Sequence, residues 1–230
     1  MDSINNKCIK FAPSLMCMDL MNVQQSIEIM NEFCDYYHAD IMDGHFVKNL
    51  CLSLDFIEGL RRITDKPIDC HLMTTNPENF IDRLIQIKVE CISLHVETIN
   101  GQAFRLIEKI KNAGIKFGIV LNPETDFNVN MPYLQSVDMI TVMSVDPGFA
   151  GQKFIPSVID KIKQIKECRA EYGYDYDIAV DGGCNKKTYK ALYEAGVDSF
   201  IVGNSGLFAL DEDLREAHGK MKQEFNEAIA

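Results

Sequence analysis

The chain has 230 residues, 47% hydrophobic and 25% charged, with 23 basic against 34 acidic side chains and a formal net charge of −11. This length and balance exclude a disordered or fibrous chain and admit one domain with a sizeable core. The acidic excess speaks against nucleic acid or an anionic membrane as partner, and no run approaches the ~20 apolar residues of a bilayer span.

Residues 9–13 read as a first strand, running into Pro13-Ser14-Leu15. Val23, Ile27, Met30 and Phe33, spaced three or four apart, predict a helix over 21–33. The apolar run 36–42 is a second strand, with His38, Asp40 and Met42 on one face and Ala39 and Ile41 on the other. A helix over 54–62 and a strand over 67–72 follow, the strand carrying Asp69 and His71. Asn76, Pro77 and Glu78 open a helix over 76–87. The strand 91–95 ends at His95, which reads equally as a substrate contact or a satisfied rim histidine. Then come a helix over 101–111, a strand over 116–121, a short helix over 130–134 and a strand over 139–143. A helix over 157–170, a strand over 177–181, a helix over 186–195, a strand over 199–202 and a helix over 212–228 complete the chain. Ala113-Gly114 and Ala195-Gly196 fit glycine-capped helix ends.

Strict alternation of strand and helix implies parallel strands joined by right-handed crossovers. Eight such units without a linker predict an α/β fold, a single-domain (β/α)8 or TIM barrel over residues 1–230. Eight cysteines, mostly within apolar runs, show no CxxC pair, and the N-terminus shows no signal-peptide apolar region. Reduced, buried thiols and a cytoplasmic location are expected.

Barrel active sites sit at the C-terminal ends of the strands. Strand parity brings His38, Asp40, His71 and Asp181 to that rim. Each alone reads as well as a buried, hydrogen-bonded polar group. Together, two imidazoles and two carboxylates suit one divalent metal ion, with zinc, manganese, cobalt, iron and magnesium all open. Glycine marks the loops beyond the last three strands: Gly148-Phe149-Ala150-Gly151, Gly182-Gly183 and Gly203-Asn204-Ser205-Gly206. Such turns bring backbone N–H groups close to an anion, and barrels often hold phosphate after strands seven and eight. Met42 and Met143 face the same rim, as core or as an apolar lid that excludes water. His45 and His218 read as structural or surface residues.

The runs Ala12-Pro13-Ser14-Leu15, His38-Ala39-Asp40-Ile41-Met42-Asp43-Gly44-His45-Phe46-Val47, Asp69-Cys70-His71-Leu72-Met73, Val145-Asp146-Pro147-Gly148-Phe149-Ala150-Gly151-Gln152-Lys153-Phe154 and Val180-Asp181-Gly182-Gly183 resemble the ribulose-phosphate 3-epimerase family, in order and across nearly the whole chain. The resemblance implies His38, Asp40, His71 and Asp181 as metal ligands, with Asp40 and Asp181 also the acid–base pair. It implies a 3-epimerase of a phosphorylated ketose working through a metal-stabilised enediolate. Ser14, His71 and Asp181 would touch substrate, and Gly148, Phe149, Ala150, Gly151, Gly182, Gly183, Gly203 and Asn204 would hold its phosphate end. A homo-oligomer, dimer or hexamer, is also implied.

Segments 13–20, 94–107 and 202–208 are most similar to the branch of that family interconverting D-allulose 6-phosphate and D-fructose 6-phosphate. The alternatives are a ribulose 5-phosphate/xylulose 5-phosphate epimerase, a metallohydrolase of a phosphorylated substrate, and a non-catalytic binder. Two departures stand out. Lys48 replaces the proline of the family's His-Phe-Val-Pro-Asn phrase, and Gly203-Asn204-Ser205 replaces the Ala-Gly-Ser or Ser-Gly-Ser of the pentulose enzymes.

Overall fold

Alternation within the apolar runs gives every strand two buried faces, and this dictates the architecture of the computed structural model, which describes residues 8–230. Residues 1–7 of the expected domain lie outside the described residues. The strands are β1 (Lys10–Pro13), β2 (Tyr37–Met42), β3 (Ile68–Met73), β4 (Cys91–His95), β5 (Lys116–Leu121), β6 (Met139–Met143), β7 (Asp177–Asp181) and β8 (Ser199–Val202). All pair in parallel, β2 through β8 in sequence and β8 with β1. The remaining junction, β1 to β2, has no ladder: it carries one bridge, Ser14 with His38, and two hydrogen bonds between Phe11 and Asp35. The expected TIM barrel is the fold.

One set of strand faces packs outward on the helices. Phe11, Ile41, Leu72, Leu94, Ile119, Ile140, Val180 and Phe200 belong to this continuous core. The other set fills the barrel interior, where Ala12, Cys91, Met139, Ala179 and Ile201 form a separate cluster. The covering helices are α1 (Val23–Met30), α2 (Leu54–Arg61), α3 (Glu78–Ile87), α4 (Ala103–Asn112), α5 (Val158–Tyr172), α6 (Tyr189–Ala195) and α7 (Leu214–Ile229). The Ser53 side chain caps α2 by accepting from the Phe56 N–H, and Gly196 ends α6 at φ 107°.

The short helix expected over 130–134 is instead a 3-10 segment, Phe127–Ser136. Pro132 inside it has no N–H to give an α-helical ladder. Three tight turns beyond strand ends carry no periodicity in the sequence: the 3-10 turns Leu15–Cys17 and Val96–Thr98, and the π-helical turn Asn204–Phe208. No helix among the described residues is long and apolar enough to cross a membrane. All eight cysteines are free.

Candidate active site

Parity along β2, β3 and β7 turns His38, Asp40, His71 and Asp181 into the barrel at its C-terminal end. One ligand-type atom from each lies within 4.8 Å of all the others. His38 Nε2 stands 3.3 Å from Asp40 Oδ1, 3.2 Å from His71 Nδ1 and 3.7 Å from Asp181 Oδ2. His71 Nδ1 stands 3.1 Å from Asp40 Oδ1 and 3.8 Å from Asp181 Oδ2. Four donors at about 2.0–2.1 Å from a common tetrahedral centre would be roughly 3.3–3.4 Å apart, and the spread here brackets that value. Two nitrogens and two oxygens so converged fit one divalent cation.

The cluster is held from behind. His38 Nδ1 donates to Asp69 Oδ2 at 2.8 Å, which leaves Nε2 free to face the cluster. Asp69 Oδ1 accepts from Ser93 Oγ at 2.6 Å. Ser93 fits because its neighbour on β5 is Gly118, where a Cβ would come within 2.3 Å of the serine oxygen. Ser14, in the bridge that closes the barrel, donates from Oγ to Asp40 Oδ2 at 2.9 Å.

The two clustered carboxylates differ. Burial opposes charge on Asp40, but His38 and His71 hold its carboxyl well below the usual range. Asp181, raised first by burial and then by the Asp40 charge, is pushed up to about 6. Burial also opposes charge on His38, yet Asp40 and Asp69 outweigh it and hold the imidazole well above its ordinary value. Asp40 is fully buried, whereas Asp181 borders a cavity.

That cavity joins the metal-type cluster to the glycine loops. Its walls include Ser14, Asp181 and Met143, then Gly148, Phe149, Ala150 and Gly151, then Gly182, Gly183, Gly203 and Asn204. Side-chain bonds lock the loops together. Asn49 Nδ2 donates to the Gly148 carbonyl at 2.7 Å, and Asn185 Nδ2 donates to the Gly183 carbonyl at 3.1 Å and to Ser205 Oγ at 3.0 Å. Gly148 and Gly182 adopt φ 107° and 99°, and a Cβ there would strike Val47 at 2.8 Å and Val145 at 2.6 Å.

Other expected residues fall elsewhere. His71 is fully buried in the cluster and does not line the cavity. Met42 packs behind it with Val47 and Met73, while Met16 and Met73 join Met143 on the wall. Lys48 and Asn204 are exposed. His45 is exposed with Nδ1 against the Asp43 carbonyl at 2.8 Å, and His218 stacks on Phe33 at 4.1 Å. His95 is fully buried behind His71, their Nε2 atoms 2.8 Å apart, and burial pushes it down to about 4. Asp43 is a loop clamp that sequence reasoning misses. Its carboxylate accepts from the His45, Phe46 and Thr75 N–H groups, tying the β2–α2 loop to the β3–α3 loop. An Asp followed by Gly just past a strand is a turn signal that could have found it.

Known proteins resemble this chain at two levels. Residues 10–208 match the ribulose-phosphate 3 epimerase family. A ribulose-phosphate 3-epimerase of Bacillus subtilis (strain 168) is 38% identical over 199 residues, covering 86% of this chain and 91% of the relative. One from Methanocaldococcus jannaschii is 34% identical over 222 residues, covering 96% and 93%. Among solved structures, KGPDC from Streptococcus mutans aligns with TM-score 0.68 at 15% identity, covering 96% of this chain and 99% of that one. N-(5'-phosphoribosyl)anthranilate isomerase from Pyrococcus furiosus aligns with TM-score 0.63 at 10% identity, covering 96% and 98%. At such identity these two share the barrel alone.

Proposed function

The chain belongs to the ribulose-phosphate 3-epimerase family, and from that premise we propose that it inverts the carbinol carbon beside the ketone of a phosphorylated ketose, with His38, Asp40, His71 and Asp181 holding one divalent metal ion. The observation that carries this reading is the convergence of two imidazoles and two carboxylates, His38, Asp40, His71 and Asp181, on one point at the wall of the cavity that the glycine loops line. Inversion needs one group to take the proton from one face of the carbon and another to return a proton to the opposite face. Two aspartates in unlike surroundings, Asp40 fully buried against His71 and Asp181 at the cavity wall, supply the two groups.

A divalent cation bound there supplies Lewis-acid stabilisation of the negative charge that develops on the ketone oxygen. The N2O2 donor set accepts zinc, manganese, cobalt, iron or magnesium. Ser14, hydrogen-bonded to Asp40 and lining the cavity, orients that carboxylate and reaches the substrate. Backbone N–H groups at Gly148 to Gly151, Gly182, Gly183, Gly203 and Asn204 grip the phosphate. Met143, with Met16 and Met73, walls off water beside the reacting carbon. A cytoplasmic homo-oligomer, dimer or hexamer, belongs to the same reading. Eight free thiols suit a reducing compartment, and exposed Met21, Leu50, Phe104 and Val129 offer apolar contact surface.

For the substrate we propose D-allulose 6-phosphate, interconverted with D-fructose 6-phosphate, on the strength of segments 13–20, 94–107 and 202–208. The names of the curated relatives favour a second reading, ribulose 5-phosphate. A panel of five- and six-carbon ketose phosphates in deuterated water, followed by NMR, tests both levels. Deuterium should enter one substrate carbon, fastest with D-allulose 6-phosphate. Asp40→Asn and Asp181→Asn should each lose about 10²–10⁴-fold or more in turnover. Near-normal turnover in either variant removes that aspartate from the chemistry, and faster ribulose 5-phosphate turnover overturns the six-carbon choice.

A further inference from the structure

Behind the donor cluster stands a second line of buried polar groups that the proton exchange does not use. His71 offers Nδ1 to the cluster and turns Nε2 toward His95 Nε2, 2.8 Å away. The His95 ring is fully buried and lies against Phe46, centroids 4.4 Å apart. Its other nitrogen, Nδ1, lies 3.3 Å from Glu97 Oε2. Both atoms are buried and neither makes a hydrogen bond among the described residues, so their contact is an ion-pair distance and they are otherwise unpartnered. Glu97 is itself anchored, since its Oε1 accepts from the Asn122 N–H at 3.2 Å and from the Thr125 hydroxyl.

Proton counting gives this line a direction. A neutral imidazole carries one N–H and one lone pair. Two facing Nε2 atoms at hydrogen-bond distance share one proton, so one ring donates and the other accepts. If His95 donated, its lone pair at Nδ1 would face the Glu97 carboxylate, and two acceptors would be buried against each other. The His71 proton would then sit on Nδ1, pointing into the donor cluster and blocking it as a ligand. With His71 donating, the Glu97 carboxylate faces an N–H of His95, His95 Nε2 accepts from His71, and His71 Nδ1 turns its lone pair into the cluster beside Asp40 Oδ1, 3.1 Å away, an arrangement that a cation held between them would stabilise.

We infer that His95 and Glu97 are positioning residues, a two-link relay that fixes the tautomer and ring orientation of His71 so that Nδ1 is ready for a cation. The inference rests on the proposal that the four clustered donors hold a metal ion. Each cluster histidine then has a carboxylate behind it: Asp69 touches His38 directly, and Glu97 reaches His71 through an intervening imidazole. Outer groups of this type are worth about 10–100-fold in metal affinity.

The test uses the full chain, stripped with a chelator and titrated with Co²⁺, reading the visible absorption of the bound ion and its affinity by calorimetry. Thermal melts of the metal-free proteins show that each variant is folded. His95→Leu and Glu97→Ala are expected to weaken Co²⁺ binding by about 10–100-fold and to alter its spectrum. His95→Gln, whose amide oxygen can accept from His71 while its NH2 donates to Glu97, is expected to recover most of the loss. Should His95→Leu not fold, Glu97→Ala, changing a partly exposed side chain, carries the comparison. Unchanged affinity in the folded variants overturns the relay. So does an equal loss in His95→Leu and His95→Gln, which would mark His95 as packing alone. If the parent chain binds no Co²⁺, or binds it equally well as His38→Ala, the metal-site reading itself fails and the relay falls with it.

Discussion

At position 203 a missing side chain shapes the cavity. A Cβ on Gly203 would lie 2.9 Å from the Cys17 sulfur, and both residues line the cavity wall. The backbone φ there is −104°, and the Cys17 sulfur is the first atom a side chain would meet. Burial pushes the Cys17 thiol up to about 11, which makes it a neutral spacer at physiological pH. Gly203→Ala is therefore expected to raise KM for the ketose phosphate, and Cys17→Ala in the same chain to restore it. A double-mutant cycle on kcat/KM should show a coupling of about 0.5–3 kcal/mol, and additive effects would rule out the contact. Neither side of this pair is legible from residue type, because Gly203 reads as an anion-gripping turn and Cys17 as one more buried thiol.

Along single elements, periodicity carries most of the information. Each of the eight strands lies within one residue of its expected bounds, because every one has both faces buried and reads as a short apolar run. Parity is enough to bring His38, Asp40, His71 and Asp181 together, since side-chain direction in a strand depends on odd or even position alone. The same parity turns Asp69 and His95 inward, but which imidazole each supports depends on register between neighbouring strands, which no single run encodes. Glu97 is harder still. It sits past the end of β4 in a 3-10 turn, where period two no longer orients a side chain. Helix ends depend on single capping groups and drift further from expectation. The longest helix among the described residues, α7, is capped by Asp213, whose carboxylate accepts from the N–H groups of Arg215 and Glu216. Asp213→Ala should cost about 0.5–2 kcal/mol, lowering the melting temperature by roughly 2–4 °C per kcal/mol in a chain of this size. Turnover should be untouched, and a matching fall in kcat would mean that α7 reaches the site.

Across the whole molecule, the candidate site and a buried ion pair occupy opposite ends of the barrel. Near the N-terminal ends of the strands, Arg169 of α5 makes a buried ion pair with Asp198, just before β8. Arg169 also donates to the Tyr176 carbonyl at 2.9 Å, and Asp198 accepts the Ile178 N–H at 2.8 Å, so helix, β7 and β8 meet at one point. Removing one member leaves an uncompensated buried charge, and Asp198→Ala should cost about 3–5 kcal/mol. Urea unfolding should show that loss while the folded fraction keeps its kcat and metal affinity. Normal stability would show that solvent already reaches the pair.

The junction between β1 and β2 is unlike the other seven. Those are zipped by ladders of backbone hydrogen bonds, whereas this one is joined by two hydrogen bonds between Phe11 and Asp35 and, at the site end, by a lone bridge between Ser14, which touches the donor cluster, and His38, which belongs to it. A small widening there would part the serine hydroxyl from Asp40 without unzipping any ladder. Slow breathing of the barrel wall would thus be felt first at the proposed meeting point of ion and sugar, in a seam the rest of the scaffold does not share.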